Sequence, residues 1–489
     1  MVITGPERFL TETSSALAVL VIATVFAHIC YLTLRVLNVP GWRSLGVSSA
    51  VTVIFWNWPT AAFGSISSGL AVSSLLAPTV LAAWFFSESR RLQVTVFAVA
   101  ASSAMFLGSM ALAERLMSAQ SIAFEDQHEG LQVEDSPNVI LVVVDGYPRS
   151  DVLREQAGYD NSGFESFLED EGFFVVDRSR SNYSTTHLSL ASMMNMDLVT
   201  PRGGEIGHAD LEVLAEATSG ENEVVHFFQN AGYQYVHSPI PYWFSQCAPN
   251  VDVCLSKPPL DFTTYGLLYR TPLGHFFHRP QNNPATILNA DRIAMLASWS
   301  QHAKSREWHV PFFAFIHLIL PHPPLFLNSN CVPAGVGFDI HRLHDVDETA
   351  GNSRSIKSAW LDQIECTNKA LSALITGAHE DDLIIITSDH GPDFLYRPPI
   401  ERLSHEQLKE RFSTFTALRI PHRCKATLVD DLDLVNLFDV VIACLSGEGQ
   451  TPVRGRYFAS DDLGRFVEYE HPDNAPPRGL SGNDLNSRK

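Results

Sequence analysis

Four short segments of this chain carry side chains that could do chemistry together. Asp145 and Gly146 end the run NVILVVVDG (138–146), and Asp389, His390 and Gly391 end the run LIIITSDHG (383–391). His322 stands in the loop PHPP (321–324), which follows the apolar stretch FFAFIHLIL (312–320). An aspartate and a histidine side by side on one turn offer an oxygen and a nitrogen ligand, a pair that suits zinc or manganese. The fourth segment, SNYSTTHLSLAS (181–192), is a hydroxyl-rich turn entering a helix, whose first N–H groups attract an anion such as phosphate. A threonine there, bound to a metal as its alkoxide, would be an activated nucleophile. Each segment also has a plain structural reading. Asp145 could cap the helix that follows it, the Asp-His-Gly could be only a turn, and the serines and threonines could be helix N-caps. His317, within the apolar stretch, suits a core histidine or one that supports a ligand from behind.

These residues need rigid elements to hold them. The runs 139–144, 312–318 and 383–387 are apolar, rich in β-branched residues and without polar alternation, which fits strands covered on both faces of a parallel sheet. Sites in such sheets lie beyond the carboxyl ends of the strands, where Asp145, His322 and Asp389 fall. Further strands are expected over 173–176, 233–237 and 415–420, and helices over 163–171, 211–217, 291–302 and 356–375. Strands interleaved with helices give an α/β sandwich with a largely parallel central sheet over residues 138–470, followed by a disordered tail over 471–489.

The front of the chain is different in kind. The net charge of the 489 residues is −20, yet residues 1–115 hold six arginines, four glutamates, no aspartate and no lysine, so the remainder carries −22. Residues 13–34, 44–87 and 92–113 are free of charged side chains, enough for about four helices that each cross a hydrocarbon layer of roughly 30 Å. The first stretch exceeds a secretory h-region and no small-residue cleavage site follows it, so it reads as a span rather than a removed signal. Arg35, Arg43, Arg90 and Arg91 would share one side and Arg8 and Arg115 the other, which puts both termini and the acidic domain outside the cytoplasm. The sequence therefore reads as a transmembrane domain (1–115), a linker (116–137) and an extracytoplasmic catalytic domain. Six of the seven cysteines lie in that domain, an even number that suggests disulfides, with Cys247–Cys254 and Cys331–Cys366 as candidate pairs. A domain at −22 without a basic run excludes nucleic acid as a partner.

Taken together, the Asp after the first strand, the Thr-x-x-Ser turn, the His-Pro-Pro loop and the late Ser-Asp-His-Gly resemble the alkaline phosphatase superfamily. More closely they resemble its membrane-anchored sulfatase-like hydrolases and transferases, which include lipoteichoic acid synthases and phosphoethanolamine transferases. The resemblance implies that Asp145, Asp389 and His390 ligate one divalent metal and that Thr186 is both ligand and nucleophile. It implies that His322 meets the substrate's phosphate or a second metal, with His317, Ser189 and His405 as further substrate-binding candidates. Thr186 is preferred over Thr185 because Thr186 and Ser189 have the spacing of the family's nucleophile-x-Pro-Ser turn. The transferases usually have Glu where this chain has Asp145. Sulfatases need a Cys or Ser, converted to formylglycine, in a Cys-x-Pro-Ser-Arg setting; here Thr186, Leu188 and Leu190 stand instead, which speaks against sulfate-ester hydrolysis. The function implied is transfer of a phospho-alcohol group from a membrane lipid to an envelope glycan or lipid through a threonine adduct. A phosphodiesterase or phosphatase using water, and a membrane sensor with a degenerate catalytic fold, are the alternatives. The second metal and the oligomeric state stay open.

Overall fold

Val139–Asp145 forms strand β1, buried at all seven positions, because its two neighbours and two helical layers cover every face the unbroken apolar run presents. The computed structural model describes residues 136–470 apart from 201–205, 207, 241, 243, 256–278, 300, 302–309, 339–342, 344–352, 396–398, 449–450 and 462–464, together with Ile122, Phe124 and Val133. The expected membrane spans (1–115), most of the linker and the tail (471–489) lie outside the described residues. Among the described residues no helix is long and apolar enough to cross a membrane. The chain divides into two units, one comprising 1–120, 207–212 and 258–284, the other 121–206, 213–257 and 285–489. The candidate site lies in the second.

The further strands are β2 (Phe174–Val175), β3 (Arg178–Arg180), β4 (Gln234–Ser238), β5 (Val253–Cys254), β6 (Phe312–Pro321), β7 (Leu325–Leu327), β8 (Pro333–Phe338), β9 (Leu383–Ser388), β10 (Thr416–Arg419), β11 (Asp431–Asp433), β12 (Tyr457–Ser460) and β13 (Phe466–Tyr469). The principal helices are α1 (Ser162–Asp170), α2 (Thr186–Asn195), α3 (His208–Ser219), α4 (Glu223–Asn230), α5 (Pro284–Ala297), α6 (Ser353–Gly377), α7 (His405–Phe412) and α8 (Leu437–Ser446). The main sheet has the order β2-β10-β9-β1-β6-β4-β5. β9, β1, β6, β4 and β5 run parallel, and β10 is antiparallel to both its neighbours.

All six expected strands are present, and the helix expected over 291–302 instead runs from Pro284 to Ala297. Proline opens a helix at little cost, since its missing N–H would have no partner in the first turn. One face of the sheet packs Ile140, Val142 and Val144 against Leu168 of α1 and Trp360, Ile364 and Leu371 of α6. The other packs Val139, Leu141 and Val143 against Leu190 and Met193 of α2 and Val441 of α8. Each such side chain taken from water is worth roughly 1.5–3 kcal/mol, so the alternation along β1 locks its register and aims Asp145 at the strand tip.

Three disulfides cross-link the domain. Cys247 pairs with Cys254 and Cys331 with Cys366, as the sequence suggests, and Cys424 pairs with Cys444.

Candidate metal centre

The tips of β9, β1 and β6 are adjacent, because β1 pairs in parallel with both neighbours, and this brings three of the four sequence segments to one place. The pairing of β1 with β6 shifts register between Val144 and Asp145, so the bulge falls at the aspartate. Asp145 also bonds through its backbone: its carbonyl accepts from the His322 N–H at 3.1 Å. Gly146 follows with φ +73°, and a Cβ placed there would lie 3.9 Å from the His390 ring and 4.0 Å from His322, so these histidines flank the turn.

Asp389 is oriented by the turn it begins. Its Oδ1 accepts from the N–H groups of Gly146 at 3.1 Å and His390 at 2.9 Å, which leaves Oδ2 to point away from both. His390 Nδ1 lies 2.9 Å from the Gly391 carbonyl. A carbonyl only accepts, so Nδ1 carries the ring hydrogen and Nε2 presents a lone pair. That nitrogen lies 3.3 Å from Asp389 Oδ2 and 3.8 Å from Asp145 Oδ1. Neither Asp145 Oδ1 nor Asp389 Oδ2 has a hydrogen-bond partner. Among the described residues these three side chains alone form a group able to hold a metal ion.

Three buried electron-pair donors thus converge, and two of their carboxylate oxygens have no hydrogen-bond partner. Burial first, then the Asp389 charge, pushes the Asp145 carboxyl well above its usual range, although Arg411 pulls it the other way. Burial and the Arg411 charge hold the His390 imidazole well below its usual range, so the ring is neutral and ready to ligate. Unmatched buried oxygens cost energy that a divalent cation would recover. Two carboxylates and an imidazole suit zinc or manganese.

Thr186 is the first residue of α2, and its Oγ1 lies 3.1 Å from His390 Nε2. Thr185 is turned elsewhere: its hydroxyl meets Ser460 Oγ at 3.1 Å. The pair of threonines is therefore divided, one toward the ligand group and one toward β12. Ser189, one turn on, donates to the Asp389 carbonyl and ties α2 to the Asp-His-Gly turn. It serves the site from behind rather than facing a substrate.

His322 donates from Nδ1 to the Pro323 carbonyl at 2.7 Å, and burial lowers its pKa. Its Nε2 is therefore an acceptor. His317 is wholly buried, has no hydrogen-bond partner on either nitrogen, and is pushed down to about 3 by burial. The structure sets it in the core beneath the site, so contact with a substrate is corrected to a buried position. His405 lies outside the group around His390. It opens α7 on an exposed turn, and it lines a cleft of 580 Å³ with Arg149, Asp151 and Lys409. Lys409, one turn on, shares that outer face, while Arg411 and Phe412 turn inward.

Arg411 is the residue that sequence reasoning missed. Its Nη2 lies 3.3 Å from His390 Nε2, beside the whole group. The legible signal was local, since Ser404 and Gln407 form a capping box that marks the start of α7.

The sulfatase family model matches residues 137–415, more than half of the 489 residues, from just before β1 to just before β10. The chain belongs to the sulfatase family. No curated protein sequence matches it. Among solved structures, this sulfatase-family chain is similar to the integral membrane lipooligosaccharide phosphoethanolamine transferase A (EptA) from Neisseria meningitidis. The identity is 12% and the TM-score 0.44, covering 85% of this chain and 86% of that one. It is also similar to the C-terminal periplasmic domain of EcEptC from Escherichia coli, at 11% identity and TM-score 0.42 over 73% of this chain and 97% of that one. A third is the phosphonate monoester hydrolase of Agrobacterium radiobacter, at 12% identity and TM-score 0.37 over 66% and 80%.

Proposed function

We propose that this sulfatase-family chain is a membrane-anchored, metal-dependent phosphotransferase. It would move a phosphoethanolamine- or phosphoglycerol-type group from a lipid donor to an envelope glycan or lipid. The observation that carries the reading is Thr186 Oγ1, 3.1 Å from His390 Nε2, at the first turn of a helix and beside two unmatched carboxylate oxygens. A threonine at that position, rather than the cysteine or serine that formylglycine requires, favours transfer of a phosphoryl group over sulfate-ester cleavage. Asp145, Asp389 and His390 would hold one divalent metal, with Thr186 as its further ligand. When bound, the metal supplies positive charge that favours the ionised form of Thr186 and of the phosphoryl oxygens.

Thr186 gives its proton to solvent and its oxygen attacks phosphorus, and the bond from phosphorus to the diacylglycerol oxygen breaks. The departing alkoxide takes up a proton from solvent, leaving a phosphodiester on Thr186. In the second transfer an acceptor hydroxyl attacks this phosphorus and Thr186 leaves. With Nδ1 committed to Pro323, His322 Nε2 is the atom that takes the acceptor's proton. Its neutral, acceptor-facing state suits the base of the second step.

Three disulfides support an oxidising, extracytoplasmic setting for the catalytic domain. The reading keeps the domain division given by the sequence: spans in 1–115, a linker over 116–137, the catalytic domain over 138–470 and a tail over 471–489.

The test is peptide mass spectrometry after incubation with vesicles of phosphatidylethanolamine or of phosphatidylglycerol. The expected result is an adduct on Thr186 whose mass names the donor, lost on Thr186→Ala and retained on Thr185→Ala. Lipid turnover without any adduct, equally fast with no acceptor present, would point instead to a phosphodiesterase that uses water.

A further inference from the structure

The loop that presents His322 is poor in hydrogen-bond donors. Pro321, Pro323 and Pro324 have no backbone N–H, so within PHPP (321–324) only His322 can donate from the main chain, and its N–H goes to the Asp145 carbonyl at 3.1 Å. Carbonyls of this loop must therefore find their donors elsewhere. Gln363, on α6, supplies them. Its Nε2 donates to the carbonyls of Pro321 at 3.2 Å and His322 at 3.3 Å. Its Oε1 accepts from the N–H groups of Phe326 at 3.1 Å and Leu327 at 3.2 Å. A side-chain amide has two N–H donors and two acceptor lone pairs, and all four are in use here. Gln363 is 1% exposed, so breaking these bonds would leave buried polar groups unmatched.

The grip falls on the peptide units either side of His322. Asp145 and Gln363 hold its backbone, and the Pro323 carbonyl holds its ring through Nδ1 at 2.7 Å, which leaves Nε2 for the acceptor hydroxyl. α6 holds the same stretch of chain twice more. Cys366 is bonded to Cys331, and Lys369 Nζ donates to the Ser329 carbonyl at 2.6 Å. Gln363, Cys366 and Lys369 recur at intervals of three and so line one face of the helix. The latter two fasten residues beyond β7, whereas Gln363 bonds to His322 itself. With the far end already tied down, the four bonds at the near end set where His322 stands.

We propose that Gln363 is the positioning residue of His322: it fixes the backbone from which Nε2 meets the acceptor hydroxyl in the second transfer. The inference rests on the second-step role given to His322 above, and its test separates the two.

Two rates are measured on the full chain by peptide mass spectrometry. One is build-up of the Thr186 adduct on phosphatidylethanolamine vesicles, and the other is its disappearance once glycerol is added as acceptor. Gln363→Met fills the space without either hydrogen-bonding group. Build-up should stay within about twofold of the wild type while disappearance slows by about ten- to a hundredfold, because only the second transfer uses His322. Gln363→Asn, an amide one methylene short, should fall between. The double variant Gln363→Met, His322→Asn should be no slower than His322→Asn alone, since nothing is then left to position. Lys369→Met, which cuts a tie beyond β7, should behave as the wild type.

Equal slowing of both rates in Gln363→Met overturns the inference, as do unchanged rates or losses that multiply in the double variant. So does Lys369→Met with the Gln363→Met pattern, which would make any tie to α6 sufficient. Should Gln363→Met lose its cooperative thermal transition, Gln363→Asn decides: slower disappearance at unchanged build-up supports the inference, and any other pattern overturns it. A wild type that forms no adduct, or never releases it, counts against the function proposed above. Carbethoxylation of His322 by diethyl pyrocarbonate then reads the positioning directly. A several-fold change of its rate in Gln363→Met, with the exposed His379 unchanged, supports that positioning, and equal rates overturn it.

Discussion

Two charged clusters follow β1 and draw on the same helix α7, and they are built on opposite terms. In the outer one, Arg149 holds Asp151 at 2.8 Å, and Lys409 holds Asp151 at 3.1 Å and Glu155 at 2.7 Å, with Asp151 32% exposed. Each charge there meets its opposite, and water reaches the set. In the inner one, Asp145, Asp389 and His390 are at most 2% exposed and present lone pairs to one another. A half-exposed set of matched charges completes itself and is worth little to stability. The buried set keeps Asp145 Oδ1 and Asp389 Oδ2 without a hydrogen-bond partner although Arg411 of α7 stands beside it. Charge content does not separate a structural cluster from a candidate centre; what separates them is whether each carboxylate oxygen finds a partner within the fold.

The comparison is broken most directly by removing one carboxylate from each cluster. Asp389→Asn should lower metal affinity by more than about 100-fold, beyond the cost of losing an outer-shell partner, and turnover should fall with it. Asp151→Asn should leave metal content at the wild-type value. Elemental analysis after dialysis measures both, and equal metal in the two variants would dissolve the distinction. A smaller effect is expected where the clusters meet. Gly391 has no room for a side chain, because a Cβ would fall 1.9 Å from the Glu410 carbonyl oxygen in α7. Gly391→Ala should therefore cost about 1–3 kcal/mol of stability as α7 is displaced, and a denaturant melt with unchanged midpoint would show that α7 yields freely.

The smallest effect belongs to the outer cluster and depends on pH. Burial opposes the Asp151 carboxylate, but the Arg149 hydrogen bond and charge, with Lys409, outweigh it and hold the group at about 2 against an ordinary 3.8. A lowered folded-state pKa adds stability above the unfolded value and loses it as pH falls through the folded one. The Tm difference between the wild type and Asp151→Asn should thus be constant from neutral pH down to about 4 and vanish near pH 2. A difference that persists at pH 2 would assign the effect to packing.

Much of the scaffold could be read before the structure. β1, β6 and β9 were legible because each is an unbroken apolar run, and a residue that ends such a run must lie at a strand tip. The strands β3, β5, β7 and β8 and the β11–β13 group were not, since none of them is an apolar run as long as those of β1, β6 and β9. Cys424–Cys444 was hidden because cysteine count does not dictate connectivity. His405 drew notice and Arg411 did not, for one reason. A histidine near Asp-His-Gly looks like a ligand, whereas an arginine in the last turn of a helix looks like a solvated end that complements the dipole. Only the packing of α7 shows which side faces inward.

The parallel ladder has a consequence for how the protein comes into being. Gly146 and Asp389 are 243 positions apart in the chain. Between them the chain must lay down β4 and β6 and two disulfide-closed loops before β9 can dock beside β1. Contacts so distant form late, after the loop-closure entropy has been overcome. An unfinished chain has Asp145 without Asp389 and His390, so the proposed centre is incomplete until β9 docks. Capture of an ion by that centre would mark completed assembly, and by mass action a bound ion would draw the last docking step forward.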